Sequence, residues 1–357
     1  MKKTILLATI ICTALIIGFA CKKSTPSSSN SSITTPPCGN GQNISGWIIY
    51  KTSNSCIPVD GLTPMGVSKT GKKYFRDINT KKWYTFDNST WKLLTQEPAN
   101  GLFNFDKATA NIYGYSCKSG FSGNHISNTF YIFNGTTWTT STKPNTVGTD
   151  DAIYIGRDTL GFNYFGAIDT LTSNLTGTFM YVESCSCWTS LQTFTTNPFM
   201  VANYSSGGNV YFSEGNNVWA TSGGTPFSLI YSVPNSSSFS CCISNIAVSA
   251  NNTLWLQNNT GYILNANTSQ AYNAGAASGI GGNNLGRMTT DNLNNVWFCS
   301  LNSGMVKFDG TSYTMYNTSN SPLVNGYTGV PQIDKDNAKW VIYQDASGAN
   351  VWVAKFY

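Results

Sequence analysis

The chain of 357 residues contains a single histidine, His125, which lies in a segment rich in Gly, Asn and Ser. Two adjacent carboxylates, Asp150 and Asp151, lie in a second polar segment. A histidine close to carboxylates can transfer protons or hold a metal ion. A lone histidine among small polar residues is more often solvated, and so is an acidic pair in a loop. We therefore predict no catalytic residue, no metal site and no cofactor, and we assign His125, Asn124, Asp150 and Asp151 as candidate binding residues.

The first twenty residues have the features of an export signal. Lys2 and Lys3 precede a short apolar run, and Cys21 directly follows small residues. This boundary resembles a bacterial lipoprotein box, although Gly18 stands where Leu is usual. The resemblance implies a signal peptide over 1–20, lipid attachment to Cys21 and anchoring to the outer membrane, facing the periplasm or the surface. The alternative is an ordinary signal peptide followed by an incidental cysteine.

The segment from 21 to 37 is rich in Ser, Thr and Pro and predicts a tether, because such a composition cannot bury a core. The folded domain is then predicted over 38–357. No second apolar run is long enough to span a membrane.

Ten cysteines occur in the chain. Besides Cys12 in the signal peptide and Cys21, eight remain, and an even number in an exported protein predicts disulfides. Eight cysteines allow 105 complete pairings, so the connectivity stays open. Their spacings lack the two CxxC pairs of a zinc ribbon. The eight are Cys38, Cys56, Cys117, Cys185, Cys187, Cys241, Cys242 and Cys299.

The composition indicates an all-β protein. Charged residues make up 10% and aromatic residues 13%, and strand-forming residues alternate with Asn/Gly turns. The aromatic content argues against disorder. After removal of Lys2 and Lys3, 19 basic residues face 16 acidic ones without a basic run beside aromatics, so we predict no nucleic-acid partner.

An aromatic residue recurs at intervals of 39 to 51 residues, mostly behind Asn or Lys. A period in the forties with about four strands per unit is typical of β-propeller blades. We predict that these aromatics pack between neighbouring blades. They are Tyr74, Tyr113, Tyr164, Tyr211, Trp255, Trp297 and Trp340.

A second landmark recurs in "TFDNSTW" (85–91), "IFNGTTW" (132–138) and "KFDGTSY" (307–313). Asp-Asn, Asn-Gly and Asp-Gly tolerate positive φ, so we predict a type I′ hairpin turn between strands three and four of a blade.

The segment "SGWIIYKTSNS" (45–55) repeats the pattern of "TSYTMYNTSNS" (311–321) at a constant offset. The latter follows a turn of the kind just described, so it contains a fourth strand. The chain ends where the last blade still lacks its fourth strand. We therefore predict a seven-bladed β-propeller of four-stranded antiparallel blades, in which the N-terminal strand completes the last blade and Trp47 is a packing residue.

The stretch 289–343 resembles the two-component regulator propeller repeat. The resemblance is close over the last two units, moderate around 47–91 and weak between about 100 and 240. It implies that the repeat residues are structural and that the chain corresponds to the stand-alone exported form. The matching residues are Asp291, Asn295, Trp297, Gly304, Lys307, Phe308, Asp309, Gly310, Tyr316, Asn317, Asn320, Ser321 and Leu323.

Antiparallel blades sort their connections onto two faces. The turn face carries the one-to-two and three-to-four turns, and the crossing face carries the two-to-three loops and the crossings between blades. The long polar segments 116–129, 143–151, 167–178 and 232–242 all fall on the crossing face. We predict the ligand surface there, towards blades 2 and 3, because long loops on a rigid scaffold usually carry binding.

The sequence favours a non-enzymatic, lipid-anchored binding module for a glycan, peptide or protein partner at the cell envelope. One alternative is an exported propeller enzyme, a lyase or a glycosidase. Propeller enzymes similar to streptogramin lyase use a histidine with a carboxylate and a metal, and this chain offers one histidine. A second alternative is a structural surface protein without a small ligand.

Overall fold

The computed structural model describes residues 41–98, 101–106, 109–118, 125–142, 151–168, 175–185, 187–193, 200–206, 208–234, 239, 243–258, 260–274, 285–300, 304–323, 329–344 and 351–357. Over these ranges the chain forms seven antiparallel sheets, each the blade of a propeller. No helix within these ranges is long and apolar enough to cross a bilayer.

The strands follow one another around the ring in chain order. The chain begins with β1 (Gln42–Ile44) and β2 (Trp47–Tyr50). Blade 1 contains β3 (Thr63–Val67), β4 (Lys73–Asp77), β5 (Lys82–Phe86) and β6 (Trp91–Gln96). Blade 2 contains β7 (Gly101–Phe105), β8 (Ile112–Lys118), β9 (His125–Phe133) and β10 (Trp138–Thr142). Blade 3 contains β11 (Asp151–Arg157), β12 (Phe162–Ile168), β13 (Leu175–Val182) and β14 (Cys187–Thr193). Blade 4 contains β15 (Met200–Ser206), β16 (Asn209–Glu214), β17 (Asn217–Thr221) and β18 (Ser228–Ser232). Blade 5 contains β19 (Ile243–Val248), β20 (Leu254–Asn258), β21 (Tyr262–Asn265) and β22 (Gln270–Asn273). Blade 6 contains β23 (Leu285–Thr290), β24 (Val296–Ser300), β25 (Gly304–Phe308) and β26 (Tyr313–Tyr316). Blade 7 adds β27 (Gln332–Ile333), β28 (Lys339–Gln344) and β29 (Val351–Phe356) to the two N-terminal strands.

The N-terminal strand closes the ring, as predicted. The last sheet has the order β1-β2-β29-β28-β27, and Trp47 of β2 pairs with Phe356 of β29. The four predicted strands of this blade are present, and β1 adds a fifth strand outside β2. Ser45 and Gly46 both have positive φ, 51° and 83°. They form a two-residue turn that folds β1 back along β2.

The recurring aromatics lie on the second strand of each blade and are buried. Six of the seven rings belong to hydrophobic clusters that contain residues of adjacent blades, and the seventh, Tyr74, stacks on Phe105 of blade 2 at 4.2 Å. For example, Trp340 of blade 7 is 5.9 Å from Phe75 of blade 1 between ring centroids. Trp47 is 4% exposed and stacks on Phe356 at 4.0 Å. The core is therefore a circle of aromatic layers between blades.

A left-handed backbone residue precedes each of these aromatics by three positions. It lies in the one-to-two turn, where the chain reverses without steric cost if the residue is Gly or Asn. Over the described residues all seven blades share this geometry. The residues are Gly71, Ala110, Gly161, Gly208, Asn252, Asn294 and Asn337.

Ala110 departs from this pattern because it is neither Gly nor Asn and still holds a φ of 61°. A left-handed conformation costs an ordinary L-residue about 1–2 kcal/mol. Ala110→Gly should therefore raise the free energy of unfolding by about 1 kcal/mol, measured by urea denaturation. Ala271→Gly, within β22, is the control and should lower it by about 0.5–1 kcal/mol. Destabilisation by both changes would show that the strain at Ala110 is absent.

The three-to-four turns differ from the predicted type I′ geometry. The second residue of each has positive φ, 80° at Asn88, 95° at Gly135 and 101° at Gly310, whereas the first residue does not. In blade 1 the carboxylate of Asp87 instead accepts hydrogen bonds from the backbone N–H of Ser89 (3.1 Å) and Thr90 (2.8 Å). A side-chain cap therefore closes these turns, and four residues connect the strands.

Buried carboxylates in the one-to-two turns connect neighbouring blades. Asp291 accepts a hydrogen bond from the indole of Trp297 (2.8 Å), and Nζ of Lys339 in the next blade lies 3.6 Å from its Oδ2. Burial raises the pKa of Asp291, but hydrogen bonds from Asn295 and Trp297 outweigh it and hold that pKa below its usual range. The carboxylate thus stays charged and ties blade 6 to blade 7.

The seam between blades 7 and 1 repeats this arrangement. Asp334 accepts from the indole of Trp340 (2.9 Å), and Nζ of Lys73 in blade 1 lies 3.8 Å from its Oδ2. Burial lowers the pKa of Lys73, although Asp334 acts in the opposite direction. This ion pair bridges the point where the ring closes.

The cysteines have different states. Cys185 and Cys187 form a disulfide, and Cys56 is disulfide-bonded. Cys299 is a free thiol on β24, so full pairing of the eight cysteines is wrong. Its enclosure in the core raises its pKa to about 11. Cys117 lies in β8, and Cys38, Cys241 and Cys242 lie outside the described residues.

Candidate functional site

Blades 2 and 3 extend their inner hairpins on the crossing face. Their second and third strands, β8, β9, β12 and β13, are seven, nine, seven and eight residues long. The corresponding strands of the other blades have four to six residues. The ladder of β8 and β9 continues to the pair Lys118 and His125. The strand pairs β8–β9 and β12–β13 therefore extend further towards the crossing face than those of the other blades, in the sector where the sequence predicts binding.

The candidate binding residues lie at the ends of these strands. His125 is the first residue of β9, opposite Lys118, and Asp151 is the first residue of β11, opposite Ile168. Their predicted loop positions are wrong, because backbone pairing continues through both residues. Asn124 and Asp150 lie outside the described residues. Since β9 packs against β11, the structure brings His125 and Asp151 to the same face of neighbouring blades.

An aromatic layer supports this sector from below. Tyr113 of β8 stacks on Tyr154 of β11, with centroids 5.4 Å apart, and Phe130 of β9 meets Phe165 of β12 edge-to-face at 4.6 Å. These contacts join blades 2 and 3 in the offset-stacked and edge-to-face geometries that aromatic pairs prefer. The layer fixes the bases of both hairpins.

A polar network joins the same two blades on the turn face. Glu183, at the end of β13, accepts hydrogen bonds from the hydroxyl of Tyr113 (2.7 Å) and from the amide of Asn163 (3.0 Å). Arg157 donates to both Tyr113 and Glu183, and its Nε lies 3.8 Å from Oδ2 of Asp106. Both blades thus contribute to one charged cluster.

The electrostatics of this network favour a fixed protonation state. Burial raises the pKa of Tyr113 well above its usual range, with Arg157 opposing and Glu183 adding to the effect. Burial alone lowers the pKa of Arg157, but Tyr113 and Glu183 together raise it further. The phenol of Tyr113 therefore stays neutral and the guanidinium of Arg157 stays charged near neutral pH, and the cluster holds the two blades together.

The sequence analysis missed this network. Its one local signal is Arg157 immediately before Asp158, where the two regular C-terminal repeats have Thr290 and Ile333. Its partners come from another blade or from a distant turn, so spacing along the chain does not reveal them.

A second charged group lies on the crossing face of blade 1. Arg76 binds Glu97 through two hydrogen bonds of 2.6 and 2.9 Å, and the indole of Trp83 donates to the same carboxylate at 2.8 Å. The Glu97 side chain is completely buried. This group therefore fixes the crossing from blade 1 to blade 2. Across the described ranges, no three His, Cys, Asp or Glu side chains are grouped to hold a metal ion.

No protein-family model and no curated protein sequence matches this chain. Solved structures match its fold. Streptogramin B lyase aligns with a TM-score of 0.60 and 13% identity over 88% of this chain and 100% of that one. YCF48 bound to D1 peptide aligns with a TM-score of 0.56 and 13% identity over 88% of this chain and 98% of that one.

A third match is the extracellular domain of a protein described as a hybrid two-component system of B. thetaiotaomicron. It aligns with a TM-score of 0.51 and 12% identity over 82% of this chain and 39% of that one. The chain is a seven-bladed propeller. At identities this low the structural alignments establish the shared fold alone. One fold can host several functions, and these matches include both a lyase and a peptide-bound protein.

Proposed function

We propose that this protein is an exported, lipid-anchored propeller that binds a glycan, peptide or protein partner at the bacterial cell envelope. Cys21 carries the anchor, and the crossing face of blades 2 and 3 carries the binding surface. The repeat pattern supports membership of the two-component regulator propeller repeat family in its stand-alone form.

The observation that carries this proposal is the asymmetric elongation of β8, β9, β12 and β13. Extra strand length on one face of two adjacent blades adds nothing to ring closure. It carries the paired backbone of both hairpins further towards the crossing face, above the buried aromatic layer that joins the two blades. The fold shared with the extracellular domain of a two-component system protein and with a peptide-bound propeller supports an exported binding role.

A lyase-like activity is the second candidate. The observation in its favour is that His125 and Asp151 start strands of adjacent blades on one face. A histidine and a carboxylate so placed could act as base and acid on a bound substrate. The binding proposal needs neither residue to react.

Glycan and peptide arrays probed with the mature protein should identify a ligand whose affinity depends on this sector. His125→Ala and Asp151→Ala should each raise the dissociation constant by about tenfold, because truncation of a hot-spot residue costs more than 1 kcal/mol of binding free energy. Calorimetric titration of the array hit measures this.

Asn79→Ala is the control, since Asn79 lies exposed in the two-to-three turn of blade 1 on the same face. It should leave the affinity unchanged. Equal weakening by all three changes would contradict the assignment to blades 2 and 3. Loss of a measured turnover in His125→Ala would favour the lyase.

A further inference from the structure

The three-to-four turn of blade 3 is closed by a disulfide between Cys185 and Cys187. Blades 1, 2 and 6 close the equivalent turn with the side chain of Asp87, Asn134 or Asp309. Both cysteines of the bridge are exposed. In blade 3, a covalent bond that a reductant can break therefore replaces the hydrogen-bonded cap of blades 1, 2 and 6.

The bridge lies between two residues that hold blade 3 to blade 2. Glu183, two residues before Cys185, accepts from the hydroxyl of Tyr113 in blade 2. Trp188, directly after Cys187, donates its indole N–H to Ser141 of β10 at 3.1 Å. The conformation of the turn therefore sets the relative positions of two contacts across the same seam.

Two physical features make this bond accessible to exchange. A bridge between residues two apart closes a very small loop, so it restrains the unfolded chain little, and folding protects it little in return. Exposure of both sulfurs lets an external thiolate approach, which is the requirement for exchange. Exposed disulfides have more oxidising potentials than structural ones and are reduced more readily.

We propose that Cys185–Cys187 is a thiol–disulfide exchange site for an external dithiol. A thiolate of the dithiol attacks one sulfur of the bridge, the S–S bond breaks, and the other cysteine leaves as a thiolate that takes a proton from water. The second thiol of the dithiol then loses its proton and attacks the mixed disulfide. The remaining cysteine is released as a thiolate and protonated. The protein gains two electrons and two protons, and the dithiol becomes a disulfide.

Native full-length mature protein is titrated with dithiothreitol, and new thiols are alkylated and located by peptide mass spectrometry. Cys185 and Cys187 should become alkylated at a dithiol concentration at least tenfold lower than Cys56, while the circular dichroism spectrum of the fold is retained. The double variant Cys185→Ser/Cys187→Ser should show no such early alkylation.

The proposal would be overturned if Cys185 and Cys187 were reduced only at the dithiol concentration that reduces the disulfide of Cys56, or only after the fold is lost. Hydrogen exchange gives a second readout. Amide exchange in β14 and β10 should become several-fold faster on reduction, because the turn between Glu183 and Trp188 is no longer closed. Unchanged exchange in a reduced sample would overturn the coupling to the seam.

Discussion

Deletion of β1 and β2 (residues 42–50) should unfold the propeller or drive it into aggregates. β2 pairs along β29, and its loss exposes the backbone edge of that strand to other chains. Trp47, Ile49 and Tyr50 are each at most 4% exposed. Burial of three such side chains contributes about 2 kcal/mol each. The total is comparable with the whole stability of many domains, about 5–15 kcal/mol.

The matched control removes residues 42–44 alone. β1 is the outermost strand of the five, and its side chains are exposed or half-buried. Its deletion leaves β2 in place and should lower the melting temperature by a few degrees. Circular dichroism and size-exclusion chromatography measure both variants. If the larger deletion melts like the intact chain, β2 does not close the ring.

The sequence was sufficient to predict the ring because its landmarks are local. Each blade places an aromatic three residues after a left-handed turn residue, and the turn chemistry is visible in Asn and Gly. The strand β1 was missed because Gln42–Ile44 is too short to show alternation. Its presence depends on the turn at Ser45 and Gly46, which a four-stranded repeat does not contain.

The candidate site was predictable only as a region. Polar segments on blades 2 and 3 indicated the sector, but strand pairing decides that His125 and Asp151 begin strands. The network of Arg157, Glu183 and Tyr113 joins residues 26 to 70 positions apart. Tyr113 belongs to the repeat, but Arg157 and Glu183 have no counterpart in the regular repeats, so no periodicity relates the three.

Asp334→Ala should lower the free energy of unfolding by about 3–5 kcal/mol, the usual cost of removing one partner from a buried ion pair. Oδ1 of Asp334 accepts from the backbone N–H of Asp336 and Ala338, both at 2.9 Å, and Oδ2 accepts from the indole of Trp340. Alanine leaves these donors unpaired and leaves the ammonium of Lys73 buried without its carboxylate. Urea denaturation monitored by tryptophan fluorescence measures the loss.

Two further variants separate the causes. Asp336→Ala is the control, because Asp336 is exposed and pairs with the exposed Lys335, so its melting temperature should equal that of the unmodified chain. Lys73→Met combined with Asp334→Ala removes the buried charge that the single change leaves behind. The double variant should therefore be more stable than Asp334→Ala alone, which simple addition of two losses does not predict. If the two losses add, Lys73 and Asp334 act independently, and the closing seam is held by the packing around Trp340 and not by the ion pair.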